Sequence, residues 1–113
     1  MSESERQVVR EIYSEVIFEL AEEAGQVDAV MDDIESVKKV IRENREFAAL
    51  LESPKVAGTE KAEIVKRVFS GKVNDLTLDF LSVLSKRNRI STLFDISSRY
   101  ESMLDKHYDR HLV

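Results

Sequence analysis

The only side chains spaced like metal ligands stand at the end of the chain. His107 and His111 are four residues apart, which places both imidazoles on one helix face, where two histidines can share a zinc ion; Asp105 and Asp109 lie alongside. A closed zinc site needs four ligands, yet these are the only two histidines in 113 residues, and there is no cysteine. In a last helical turn a cationic imidazole also favours the negative end of the helix dipole without any metal. No metal and no cofactor is expected. Without cysteine there is no thiolate nucleophile, and no serine has a base at a spacing that would activate it. The three glycines, at 25, 58 and 71, stand singly and form no phosphate-cradling loop. The carboxylates fall on polar faces, and the neighbours Asp32 and Asp33 point different ways. No catalytic residue is assigned, and the chain is expected not to be an enzyme.

Lys86-Arg87-Asn88-Arg89 is a basic turn that could meet RNA phosphates. Phosphate binding draws its affinity from Lys and Arg, whereas this chain carries a net charge of −5 and interleaves no aromatic platform with its basic residues. Basic residues at a helix C-terminus explain the turn equally well. No nucleic-acid partner is expected, and an all-helical RNA-binding module built on Lys86–Arg89 is the alternative reading. The negative charge is concentrated: residues 1–35 hold eleven acids against Arg6 and Arg10. Such a segment suits a basic or neutral protein partner, or is a solvated helix face.

The elements that carry these residues are helical from end to end. Apolar residues recur at spacings of three and four, and no stretch alternates for long. Val9, Ile12, Tyr13, Val16, Ile17, Leu20 and Ala24 mark a first helix that stops at Gly25. Val27 to Ile41 mark a second, ending near Asn44. Phe47, Leu50 and Leu51 mark a short third, closed by Ser53-Pro54, with Leu50 expected in the core. Thr59 is placed as the cap of a fourth, which carries Ile64, Val65, Val68 and Phe69. Asn74 or Asp75 caps a fifth, from Leu76 to Leu84, that ends at Asn88. A sixth runs from Ile90 past Tyr108 to the last residues. With 3 Gly and 1 Pro, the expected fold is all-α, a compact six-helix bundle forming one domain over residues 1–113. No apolar run approaches membrane-spanning length, so no direct membrane insertion is expected. The acidic Met1–Glu5 start shows no signal or transit pattern, and the uncapped sixth helix suggests a cut from a longer chain.

Two helices are more apolar than a small bundle requires. A helix lying on a core needs an apolar stripe a little over about 100° wide. The second segment fits that. The first carries one broad face of Val9, Ile12, Tyr13, Val16, Ile17 and Leu20, and another of Ser14, Phe18, Ala21 and Gly25. The fifth carries Leu76, Phe80, Val83 and Leu84 on one face, and Leu78, Leu81 and Ser85 on the other. Either both helices are central and enclosed, or one face of each lines a groove that takes a partner's amphipathic helix. Spacing leaves open which face is which.

Three segments carry a family resemblance. Tyr13-Ser14-Glu15-Val16-Ile17-Phe18-Glu19-Leu20-Ala21-Glu22-Glu23-Ala24-Gly25 resembles the opening of the ATP synthase delta subunit, relative of mitochondrial OSCP. Phe47 to Val56 resembles that family's "F..LL.sP.v" element, and Thr77 to Ile90 its "l..Fl.vLa.ngRl" element. The chain departs from the pattern at Ser14 and Val16, where alanines are usual, and at Asn88, where glycine is. The resemblance covers about residues 8 to 108, the family's N-terminal domain, with its C-terminal domain absent from this chain. It implies a non-catalytic stator subunit in the peripheral stalk, at the cytoplasmic face of the bacterial inner membrane. The implied partner is the N-terminal helix of an alpha subunit, held between helices one and five by Tyr13, Val16, Ile17, Leu20, Phe80, Val83, Leu84 and Arg87. The b subunits would engage mainly the absent C-terminal domain, and the isolated domain is expected to be monomeric.

Overall fold

Turn chemistry sets the limits of each helix in the computed structural model, which describes residues 2–111. The first helix, α1 (Glu3–Ala24), starts where Ser2 Oγ accepts from the Glu5 amide at 3.2 Å. It ends at Gly25, whose φ of 66° is the left-handed conformation that glycine adopts without Cβ strain. The Gly25 and Gln26 amides then donate back to the Glu22 and Ala21 carbonyls. The second helix, α2 (Val27–Glu43), follows at once, and Asn44 Oδ1 caps α3 (Arg45–Glu52) by accepting from the Phe47 amide. Next come α4 (Gly58–Phe69) and α5 (Asp75–Lys86). After one 3₁₀ turn at Ile90–Thr92, α6 (Leu93–His111) completes the six-helix bundle.

Three expectations change. The fourth helix starts at Gly58 with Ala57 as its N-cap, so Thr59 lies inside it. The reason is tertiary: a Cβ on Gly58 would sit 2.0 Å from the Lys86 carbonyl oxygen, so only glycine lets the start of α4 press against the end of α5. Ile90 begins a 3₁₀ turn rather than the sixth helix proper, because the chain must bend out of the turn after α5. In the third helix Leu51, 3% exposed, fills the core, while Leu50 is only half-buried.

The core runs through all six helices. Ile17, Phe18 and Ala21 of α1 meet Ile34 and Val37 of α2, Leu81 and Leu84 of α5, and Leu93, Ile96 and Tyr100 at the α6 end. Phe18 and Tyr100 pack edge to face with centroids 5.1 Å apart, and the Tyr100 hydroxyl donates to the Val27 carbonyl at 2.7 Å. Polar links are confined to helix seams. Arg99 Nε donates to Ser14 Oγ at 3.0 Å and joins α6 to α1; Lys38 Nζ donates to Glu35 Oε1 and Ser97 Oγ, each at 2.8 Å, and joins α2 to α6. The Lys38 ammonium holds the Glu35 carboxyl below its ordinary value.

The fifth helix is held at both ends by charges from other helices. At its start Asp33 Oδ2, on α2, accepts from the Asn74 amide at 2.9 Å, from Asn74 Nδ2 at 2.9 Å and from Thr77 Oγ1 at 2.8 Å. At its end Asn88 takes φ 57°, and the amides of Asn88 and Arg89 donate to the Ser85 and Leu84 carbonyls. Lys61 of α4, 2% exposed, reaches this turn and donates to Asn88 Oδ1 at 2.9 Å. An anion at the helix start and a cation at its end both match the macrodipole.

Gly58→Ala is expected to cost about 2 kcal/mol by forcing α4 off α5, or about 10 °C in Tm, measured by thermal melting followed by circular dichroism. Burial, reinforced by the nearby Asp28 and Glu22 charges, raises the Tyr100 hydroxyl above its ordinary value of 10.0. Its contribution to stability is therefore complete below pH 10 and falls as pH rises from there toward the raised value. In urea titrations Tyr100→Phe should lose about 1 kcal/mol at pH 7, for the hydrogen bond to Val27. That deficit should shrink above pH 10 as the wild type alone weakens.

Candidate functional site

One side of α1 is left uncovered. Val8, Ile12, Val16 and Leu20, each four residues after the last, are 52%, 53%, 45% and 41% exposed. The spacing keeps them in one ridge along the helix, about 18 Å long. Across from it stands Val83 of α5, 43% exposed. Between them lies an open groove of about 410 Å³, with half-buried Tyr13 and Leu76 and the nearly buried Phe80 lining it. Tyr13 and Phe80 meet edge-on at 6.2 Å and bridge the two helices. Single exposed apolar residues are ordinary, whereas a continuous ridge facing a second apolar helix is the form of a protein contact site.

The two helices run in opposite senses. The turn after α5 reaches the N-terminal half of α1, where Arg89 shares a hollow with Ser4, Glu5, Val8 and Val9 and its Nη1 donates to the Tyr13 hydroxyl at 3.2 Å. The Arg89 guanidinium also stands 5.9 Å from the Tyr13 ring centroid. Asp79 and Arg87, one turn before and one turn after Val83, stand on the α5 wall.

Six of the eight residues assigned from sequence line this groove: Tyr13, Val16, Leu20, Phe80, Val83 and Arg87. Ile17 and Leu84 do not. Both are 0% exposed and belong to the core, because each lies about 100° around its helix from the exposed neighbour, Val16 or Val83. The face of Ser14, Phe18 and Ala21 is likewise the core face of α1, and its small residues admit α6 rather than a partner. Three lining residues were missed: Ile12, Leu76 and Asp79. Ile12 and Asp79 lie four residues before Val16 and Val83, as Leu20 and Arg87 lie four residues after them, so the same spacing reaches both.

His107 Nδ1 lies 3.1 Å from Glu22 Oε2 and packs near the Phe18 ring, while the His111 side chain lies outside the described residues. Among the described residues no three His, Cys, Asp or Glu side chains cluster as metal ligands, and no helix is long and apolar enough to cross a membrane. A hollow between α1 and α6 is smaller, about 280 Å³, and is ringed by Glu15, Glu19, Glu22, Lys106 and His107.

Similarity to known proteins runs through most of the chain. The family model described as ATP synthase delta (OSCP) subunit matches residues 9–113. A protein of Chlorobium phaeobacteroides named ATP synthase subunit delta is 34% identical over 94 residues, 83% of this chain and 52% of that protein. A Clostridioides difficile protein of the same name is 34% identical over 100 residues, 88% of this chain and 55% of that one. The chloroplastic ATP synthase subunit delta of Cyanidium caldarium is 32% identical over 94 residues, 83% of this chain and 51% of its own. The chain thus spans about half the length of the curated relatives it matches.

The face assignment on α1 makes a sharp contrast between neighbours. Val16→Asp should fold with Tm within a few degrees of wild type, since its carboxylate stays hydrated. Ile17→Asp should unfold the domain, because an unpaired buried carboxylate costs several kcal/mol, much of the stability of a domain this size. Circular dichroism at 25 °C reads both; equal loss of helix in the two variants would place Val16 in the core.

Proposed function

The chain belongs to the ATP synthase delta (OSCP) subunit family, and on that premise we propose that residues 1–113 are the family's N-terminal domain, a non-catalytic adaptor in the stator. The groove between α1 and α5 receives the amphipathic N-terminal helix of an alpha subunit and so ties the F1 head to the peripheral stalk. One observation carries this reading: the uncovered ridge Val8–Ile12–Val16–Leu20, facing Val83 across an open apolar groove. Two features support it further. The match spans about half of each relative, as one domain of a two-domain protein would. The charge of −5 also disfavours phosphate binding. The subunit is peripheral, sits on the cytoplasmic side of the bacterial inner membrane as part of F1, and meets the b subunits mainly through a C-terminal domain. The domain by itself is monomeric.

A docked helix is a plausible energetic match. Covering five half-exposed aliphatic side chains removes enough apolar surface for about 5 kcal/mol, at roughly 1 kcal/mol each. Association and ordering costs reduce that, so rim contacts contribute to the final affinity.

The test is calorimetric titration of the domain with a peptide of the first ~20 residues of the cognate alpha subunit, about five helical turns. Saturable binding at one site is expected. Val16→Asp and Val83→Asp should each weaken it by roughly a hundredfold, because a carboxylate trapped under an apolar helix costs several kcal/mol. Wild-type affinity in both folded variants would mean that the partner docks elsewhere. Binding of a single-stranded RNA that falls steeply with salt, with no response to the peptide, would favour the basic-turn reading instead.

A further inference from the structure

We propose, on the reading that this groove takes a helix, that its walls fix the occupant's charge order: lysine or arginine side chains over the Leu20–Asp79 end, carboxylates over the Arg87 end. An apolar ridge alone accepts a helix in either direction, so the direction must come from the charges beside it. Asp79 and Arg87 both line the groove, eight residues apart on α5, or about 12 Å. That is beyond one screening length of about 8–10 Å at moderate salt, so the two ends act as separate charge centres.

Both side chains are exposed, and neither makes a hydrogen bond or an ion pair with any described residue. The α1 rim repeats the sign at one end. Glu23, exposed and likewise without an ion pair to any described residue, stands three residues after Leu20, whereas Glu15, Glu19 and Glu22 border the hollow toward α6, Glu15 and Glu22 engaged by Arg99 and His107. At the other end Arg89 follows Arg87 and shares a hollow with Glu5 and Val8 of α1. The positions are not loose: Asp33 and Lys61 hold the two ends of α5, and Arg89 is pinned to Tyr13. A matching helix carries acids in one half and bases in the other beside a stripe of about three turns.

The test uses the 113-residue chain, isotope-labelled for NMR, and a synthetic helix of about 14 residues, ~21 Å long. Its Leu/Ile stripe reads the same in both directions, with glutamates flanking the first half and lysines the second. A nitroxide is placed at either terminus. The label at the lysine end should broaden amides of Leu76–Phe80, and the label at the glutamate end those of Val83–Arg87. The double swap Asp79→Arg with Arg87→Asp should invert that pattern. Asp79→Asn and Arg87→Gln should each weaken binding about threefold, an effect that fades with added salt. Equal broadening of both ends by either label, or a direction unchanged by the double swap, would overturn the charge-order inference while leaving helix docking intact. If neither this peptide nor a version flanked only by glutamine binds at all, the groove reading falls with it.

Discussion

The fifth helix is clamped between a carboxylate and an ammonium that belong to other parts of the chain. Asp33 of α2 accepts three hydrogen bonds at its start, and the buried Lys61 of α4 donates into the turn at its end. Burying an ammonium carries a heavy desolvation cost unless something compensates it. Here the compensation is the Asn88 amide oxygen together with the negative end of the α5 dipole. The close approach that allows this depends on Gly58, whose missing Cβ leaves room for the Lys86 carbonyl. α4 and α5 thereby pack tightly together, and the helix that carries Asp79, Val83 and Arg87 is anchored at both ends.

The groove is a geometric remainder of that arrangement. α1 uses its Ser14–Ile17–Phe18–Ala21 face against α6 and the core. α5 approaches α1 through the Tyr13–Phe80 contact and the Arg89–Tyr13 hydrogen bond, which hold the two helices near each other without closing over Val16 and Val83. Among the described residues nothing packs over the apolar ridge, and it stays exposed. An exposed ridge of this kind costs solubility, and the acids that surround it on α1, Glu15, Glu19 and Glu23, keep the surface charged between its apolar residues.

The proposed stator contact requires strength rather than chemistry. Its polar side chains serve as caps, as seams between helices or as solvated faces. The perturbed groups lie away from the groove: Glu35 at the α2–α6 seam, Tyr100 in the core, and Tyr108, whose hydroxyl donates to Asp28 and is thereby raised.

By itself the sequence determined the helices, because apolar spacing, Gly25, Asn44 and Pro54 are local signals whose physics is complete within a few residues. It also determined that α1 and α5 carry too much apolar surface, since the width of a stripe follows from residue positions alone. The family resemblance pointed to the same two helices. Which face was spare could not be read that way. Val16 and Ile17 are adjacent aliphatic residues, and only the packing of α6 and α5 decides that Ile17 is enclosed and Val16 is bare. Thr59 looked like a helix cap because hydroxyls cap helices locally; the close approach of Gly58 to Lys86 moved the start, and that contact joins segments far apart in the chain. The roles of Asp33 and Lys61 were invisible for the same reason. A lone carboxylate and a lone ammonium look like surface charges until the fold brings them to opposite ends of one helix.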